Sequence, residues 1–409
     1  MNALCGMLFA FLTVAQPSLM DDWPAWRGPD KNNVAASYQL PATQWSTDKN
    51  VIWKATVPGM GHCSPVIVGN KLFLSTAVKD TETQSVLCFD KTTGQQLWQT
   101  KLNQGGFVKQ IHANNTHASP TIATSDGRLF VVLNNHRSVQ LSALDFEGKI
   151  LWQKNTGPFI PKFPFGFGSS PCVYKDLVIV LSDYPQDGFV AAYRQSDGKE
   201  MWRTKRGNTS SFATPIVANI NGQDQLLISG SAVRGYDPAT GKELWSVNGP
   251  WQVTCGTPVW DGDLVFVSGG FPVRATVAVS ASQGKIVWQN QVKAYEQSLL
   301  AHNGYVYCHA DSGAAYCWRA SDGQEMWKGR VTGKGVSASP VLVGDKIFMT
   351  SEKGETTIIE ANPNELKIIA KNKLGGNSFA TPAFVDNRMY TRVGLQKGQE
   401  PQYLFCIGE

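Results

Sequence analysis

The 409-residue sequence has no apolar run of 18 residues, no helical apolar stripe, no adjacent cysteines and no C-x-x-C. The first absence leaves no segment long enough to span a bilayer as a helix. The second argues against helical domains. The fourth removes the usual spacing of a zinc site or a redox dithiol. Charge is also sparse, at 17% with a net +5, and no stretch holds five consecutive basic residues. Nucleic-acid binding therefore has no electrostatic footprint. The eight cysteines are scattered rather than clustered. Cys88, Cys317 and Cys406 fall at one repeat position, and Cys63, Cys172 and Cys255 flank the first strands of their repeats. They read as buried thiols; Cys308 and Cys317 are the one pair able to face each other across a hairpin.

What the chain does have is a beat. G-x-x-x-W recurs in DKTTGQQLW, DFEGKILW, RQSDGKEMW, DPATGKELW, SASQGKIVW and RASDGQEMW, ending at Trp98, Trp152, Trp202, Trp245, Trp288 and Trp327. A second marker, a hydroxyl residue before proline, opens apolar runs at Ser64, Ser119, Ser170, Thr214, Thr257, Ser339 and Thr381. One gap is two periods wide, and Ser298-Leu299-Leu300 fills it. Eight repeats of four short strands predict an all-β, eight-bladed β-propeller of antiparallel blades. The recurrent tryptophans are expected to lie buried between blades, where a large ring fills the gap between twisted sheets.

The last repeat lacks a fourth strand, while residues 50–57 carry an orphan Trp53. The N-terminal strand is therefore expected to complete the eighth blade and remove a free edge. The seventh repeat is degenerate, with Ile369 near the tryptophan position. Residues 1–20 read as a signal peptide, because 3–15 is apolar, short and followed by small residues. Residues 21–49 then form a capping segment and 50–409 the propeller. The mature chain is expected to be exported to the periplasm or cell envelope and to be monomeric.

The D-x-x-T-G-K-x-x-W phrase resembles the pyrroloquinoline-quinone (PQQ)-type repeat, over roughly residues 45–409. That family includes quinoprotein dehydrogenases and the BamB-like outer-membrane assembly propellers. The opening WPAWRGP resembles exported PQQ-like propellers without an assigned role. The resemblance implies either a non-catalytic envelope scaffold that binds a protein or glycan, or a PQQ-dependent oxidoreductase using Ca²⁺. Quinoprotein alcohol dehydrogenases hold PQQ under a disulfide of adjacent cysteines, and this chain has none. The expectation is therefore no cofactor and no metal, with fold alone deciding nothing.

The linkers at 103–116 and 157–168 are long and consecutive, so recognition is expected on their face. The candidate binding residues are His62, His112, Asn115, His117, Lys162, Phe165 and Ser169. His62 and His117 read as equivalent positions of adjacent blades. As such they serve as a metal or acid–base pair, or simply satisfy backbone groups at the channel mouth. Phe159, Phe163, Phe165 and Phe167 form either an exposed aromatic contact or a folded-over loop.

Overall fold

The computed structural model describes residues 22–36, 41–207, 210–395 and 401–409. The expected signal peptide, residues 1–20, lies outside them. Eight four-stranded antiparallel sheets surround an axis, at 66–104, 123–158, 172–207, 216–248, 259–290, 300–330, 341–373 and 383–407. The last sheet is completed by Val51–Val57, which pairs with Gln402–Ile407 and sets Trp53 opposite Cys406. The described residues contain no helix.

The repeat phrase builds a turn and a bulge. In the turn after the third strand, Asp90 Oδ1 accepts from the backbone N–H groups of Thr92 (2.9 Å) and Thr93 (2.8 Å). Asp237 does the same for Ala239 and Thr240. This Asx geometry explains the acidic residue that opens the phrase. Just before each tryptophan the register slips by one. Trp98 faces Cys88 while Phe89 faces Gln96, which leaves Leu97 unpaired. The same slip precedes Trp152, Trp202, Trp245, Trp288 and Trp327. A bulge re-aims the following side chain. Here it turns the bulged Leu97, Leu151, Met201, Leu244 and Val287 outward, where all five are exposed.

The re-aimed indole crosses to the next blade. Trp53, Trp98, Trp152, Trp202 and Trp288 lie over Gly94, Gly148, Gly198, Gly241 and Gly323. A Cβ added at those glycines would sit 2.3–2.8 Å from a ring atom, and each has φ between +67° and +88°. The ring N–H then reaches a backbone carbonyl of the same turn, as in Trp98 to Phe146 (3.1 Å), Trp152 to Gln195 (3.0 Å) and Trp202 to Pro238 (3.2 Å). Only Trp288 and Trp327 are fully buried; Trp53, Trp98, Trp152, Trp202 and Trp245 are half-buried. The expected burial is therefore corrected for these five, whose rings keep an edge at the rim of the outermost strands. Trp245 departs further. Its N–H binds Gln225 Oε1 (2.7 Å) in its own blade, and Gly284 in the next turn has nothing within 4 Å.

Near the axis a second device links the blades. Backbone N–H groups of Ser64, Thr121, Ser170, Thr257, Ser298, Ser339 and Thr381 each donate to the equivalent hydroxyl of the next blade at 2.9–3.1 Å. In the second blade Thr121 holds this place, two residues beyond the expected Ser119. The Ser119-Pro120 pair mimics the marker but belongs to the incoming loop. In the seventh blade Ala370 faces Ile358 where other blades have tryptophan, and Ile369 is the residue before it. The gap there is filled by Trp45 from the N-terminal segment, stacked on Phe348 at 6.3 Å.

That segment spans the opposite end of the ring. Trp23 bridges Ile67 of the first blade, Arg27 Nη2 donates to Leu299 O (3.1 Å) of the sixth, and Val34 bridges Leu342 of the seventh. Burial lowers the Arg27 guanidinium to about 10. The seven described cysteines are free. Cys308 faces Tyr316 rather than Cys317, so the cross-hairpin disulfide is excluded by register.

Two outcomes follow. Gly241→Ala and Gly284→Ala share the positive-φ strain, but only the first meets an indole. The first should therefore lose more stability, by about 1–3 kcal/mol, the usual cost of overpacking. Equal denaturant midpoints would contradict the contact. His309 is buried, with Nε2 bonded to Thr332 Oγ1 (2.8 Å), and burial depresses its pKa to about 3. An unfolded histidine takes a proton near pH 6.5, so stability should fall as pH drops from there toward 3, by about 1.4 kcal/mol per unit for this group. Urea midpoints of His309→Gln should show a shallower pH slope than wild type; parallel slopes would contradict it.

Candidate functional site

The residue two positions before each hydroxyl points to the axis. Around the ring these are His62, Ser119, Gly168, Phe212, Cys255, Glu296, Ser337 and Phe379, one from each blade, and all line one cavity of about 190 Å³. The inner strand begins here, so the position carries no ladder pairing and is free to vary. Trp26 of the capping segment lines the other end and donates its indole N–H to Thr257 Oγ1 (2.9 Å). His112, Asn114, Asn115 and Phe165 from the two long linkers, with Tyr295, complete the wall.

Asn115 ties those linkers together. Its Nδ2 donates to Phe165 O (2.6 Å), and its Oδ1 accepts from Ser119 Oγ (2.5 Å) and Thr116 N (2.7 Å). Gly166, at φ +84°, lets the loop pass the amide, for a Cβ would lie 2.6 Å from Nδ2. The aromatic loop folds back on the face. Phe159 and Phe167 are buried and meet edge-on at 5.1 Å, while Phe165 is half-buried against Phe212 at 5.6 Å.

The charge in the cavity is a carboxylate. Glu296 Oε2 accepts from Ser337 Oγ (2.6 Å), which also lies 3.1 Å from Glu352 Oε1. Asn114 Nδ2 reaches Glu296 Oε1 at 3.3 Å. Burial raises the Glu296 pKa; Ser337 and Asn114 oppose this, and the nearby Glu352 and Asp311 charges add to it. Burial likewise raises the Cys255 thiol and the Tyr295 phenol beside it. Neither Glu296 nor Glu352 forms an ion pair among the described residues.

The candidate residues divide between two cavities. His62, His112, Asn115 and Phe165 line the axial one; His117 and Lys162 line a neighbouring groove of about 340 Å³ between the linkers. Ser169 is buried and lines neither. His62 and His117 are not equivalent, because the second blade's register is shifted by two, and they form no pair. His62 stacks on Phe379 (4.3 Å) and His117 on Phe107 (4.0 Å). Burial lowers the His117 pKa. Glu296, Phe212, Cys255 and Phe379 escape a residue-type search. Aligning the repeats on the hydroxyl, with Thr121 and Ser298 in register, would have found all four.

PQQ does not suit this lining. A polycarboxylate quinone needs converging cations and a metal, yet among the described residues no Lys or Arg lines the axial cavity, and Glu296 brings a carboxyl group into it. Among the described residues no group of three or more His, Cys, Asp or Glu is placed to hold a metal ion.

Comparison with known proteins gives four findings. The family described as outer membrane protein assembly factor BamB matches residues 82–329 and 274–369. Outer membrane protein assembly factor BamB of Burkholderia pseudomallei is 23% identical over 360 residues, covering 75% of this chain and 87% of that protein. Tetrathionate hydrolase of Acidithiobacillus ferrooxidans is 25% identical over 208 residues, 44% of this chain, and the match spans only 40% of that protein's length. Among solved structures, the quinohemoprotein alcohol dehydrogenase of Comamonas testosteroni has a TM-score of 0.68 at 13% identity, over 94% of this chain and 80% of that one. A likeness at that identity shows the fold alone.

The Asn115 strap makes a local forecast. Asn115→Ala leaves the Phe165 carbonyl and the Ser119 hydroxyl without this partner, a loss of about 1–3 kcal/mol where the groups stay buried. Hydrogen exchange of residues 159–168 should accelerate while the blades stay protected. Unchanged exchange there would contradict the strap.

Proposed function

The chain belongs to the outer membrane protein assembly factor BamB family, and on that premise we propose that it is a non-catalytic binding propeller of the cell envelope. Its partner is a protein engaged in outer-membrane assembly, held on the face that carries both long linkers. The observation that carries the reading is the make-up of that face. The two longest inter-blade loops, an exposed Ile160 and Lys162, and a cavity lined by no Lys or Arg among the described residues lie together. Aromatic and basic anchors are where interface energy concentrates. The opposite face has short turns, such as Asn221-Gly222, and the plugging segment. An exported location accords with this role.

A PQQ-dependent oxidoreductase is the second reading, favoured by the fold shared with the quinohemoprotein dehydrogenase. The carboxylate in the axial cavity opposes it.

One experiment addresses both. Phe165 is packed, so the surface variant is Ile160→Ser/Lys162→Glu. Cross-linking in intact envelopes should join the wild type to an outer-membrane assembly protein, and the double variant should lose most of that product. Retention by the double variant, with loss in Asn221→Arg on the other face, would mean the working face is wrong. Titration of the purified protein with PQQ and Ca²⁺ should give no stoichiometric absorbance change. A tight, Ca²⁺-dependent titration would make the oxidoreductase reading the better one.

A further inference from the structure

We propose that the axial cavity receives one guanidinium group, the side chain of an arginine presented by a partner segment. Three observations converge on it. First, size: at about 190 Å³ the cavity is smaller than the roughly 300–1,000 Å³ of a site that engulfs a drug-sized ligand. It has room for a side-chain group whose backbone stays outside, and Trp26 is part of its lining. Second, shape and polarity: Tyr295 and the Phe165–Phe212 pair, whose rings meet at 5.6 Å, put aromatic surface in the lining. Planar guanidinium stacks on such surface, and its hydration is weak enough to be given up. Third, donors and acceptors: Glu296 is held by Ser337 and Asn114 and by no cation among the described residues, and Glu352 also lies against Ser337. Guanidinium carries five donors and no acceptor, and forks onto carboxylate.

Burial and the neighbouring acids make the ionised Glu296 costly in the empty cavity. A cation at that point relieves the cost, so the site is electrostatically incomplete by itself. A carboxylate-bearing or neutral isostere gains nothing there. The inference rests on the binding reading above for the source of the arginine, but the cavity can be probed without any partner.

The probes are N-acetyl-arginine amide and N-acetyl-citrulline amide, which have nearly the same shape and differ in charge. Binding to the purified full chain is followed by calorimetry or by chemical-shift titration. The arginine amide should bind saturably, in roughly the millimolar range expected for one small group. The citrulline amide should bind at least about tenfold more weakly, and Glu296→Gln should weaken the arginine amide by a similar factor, the loss of one charge-assisted hydrogen bond. Equal affinity for the two amides, absence of saturation, or an unaltered Glu296→Gln variant would each overturn the proposal. Circular dichroism reports whether Glu296→Gln folds; if it does not, the arginine-to-citrulline ratio on wild type decides. Failure of these titrations leaves the envelope cross-link untouched. Loss of the cross-link with arginine binding intact would sink the partner reading and leave the cavity's assignment standing.

Discussion

Five of the eight blade interfaces in this propeller depend on an indole laid over a glycine of the next blade. Four-stranded sheets have two faces to cover, and a ring covers them only if each blade grips its neighbour. The grip combines a flat apolar contact with a hydrogen bond from Nε1 to a turn carbonyl. It requires a bulge to aim the ring, and a left-handed residue without a Cβ to receive it. Where one part is altered the others change with it. Trp245 turns back over its own Gly235, and the glycine it would have met, Gly284, stands open. Ala370 lacks a ring altogether, and Trp45 from outside the repeats takes up the space between the seventh and eighth blades.

With the rim and the hydroxyl ring holding the blades, the first residue on the axial side of each blade is released from structural duty. Eight such positions converge on one cavity, and they differ in kind: imidazole, thiol, carboxylate, hydroxyl, phenyl and glycine. A symmetric scaffold thereby supports an asymmetric site. The two long linkers add to the asymmetry on one side only, and Asn115 couples them to the ring through Ser119. The capping segment provides the cavity's far wall, so the chain outside the repeats shapes the site from beneath.

The blade count, the closure by Val51–Val57 and the family were legible because they rest on periodic signals, repeated often enough that one degenerate copy does no harm. The two long linkers that line the candidate cavities were legible from loop length. Its residues were less so. Proline after serine at 119–120 imitates the repeat marker, which shifted the second blade by two and made His62 and His117 look equivalent. Glu296 was passed over although its repeat was placed at Ser298, because the residue type at this position changes from blade to blade. The bulge before each tryptophan leaves no mark in composition: Leu97 and Trp98 are both apolar, yet they point to solvent and to the next blade respectively. That distinction comes from backbone hydrogen bonding, which a residue pattern does not display.

The contact between Trp202 and Gly241 is therefore the point at which the account is most exposed. A double-mutant cycle of Trp202→Leu with Gly241→Ala, run beside Trp245→Leu with Gly284→Ala, isolates the pairwise energy in each interface. The first cycle should show a coupling of about 1–3 kcal/mol, since removing the ring relieves the clash with the added methyl. The second should be additive within about 0.5 kcal/mol. Additivity in both cycles would mean that the indole does not grip the next blade through its glycine.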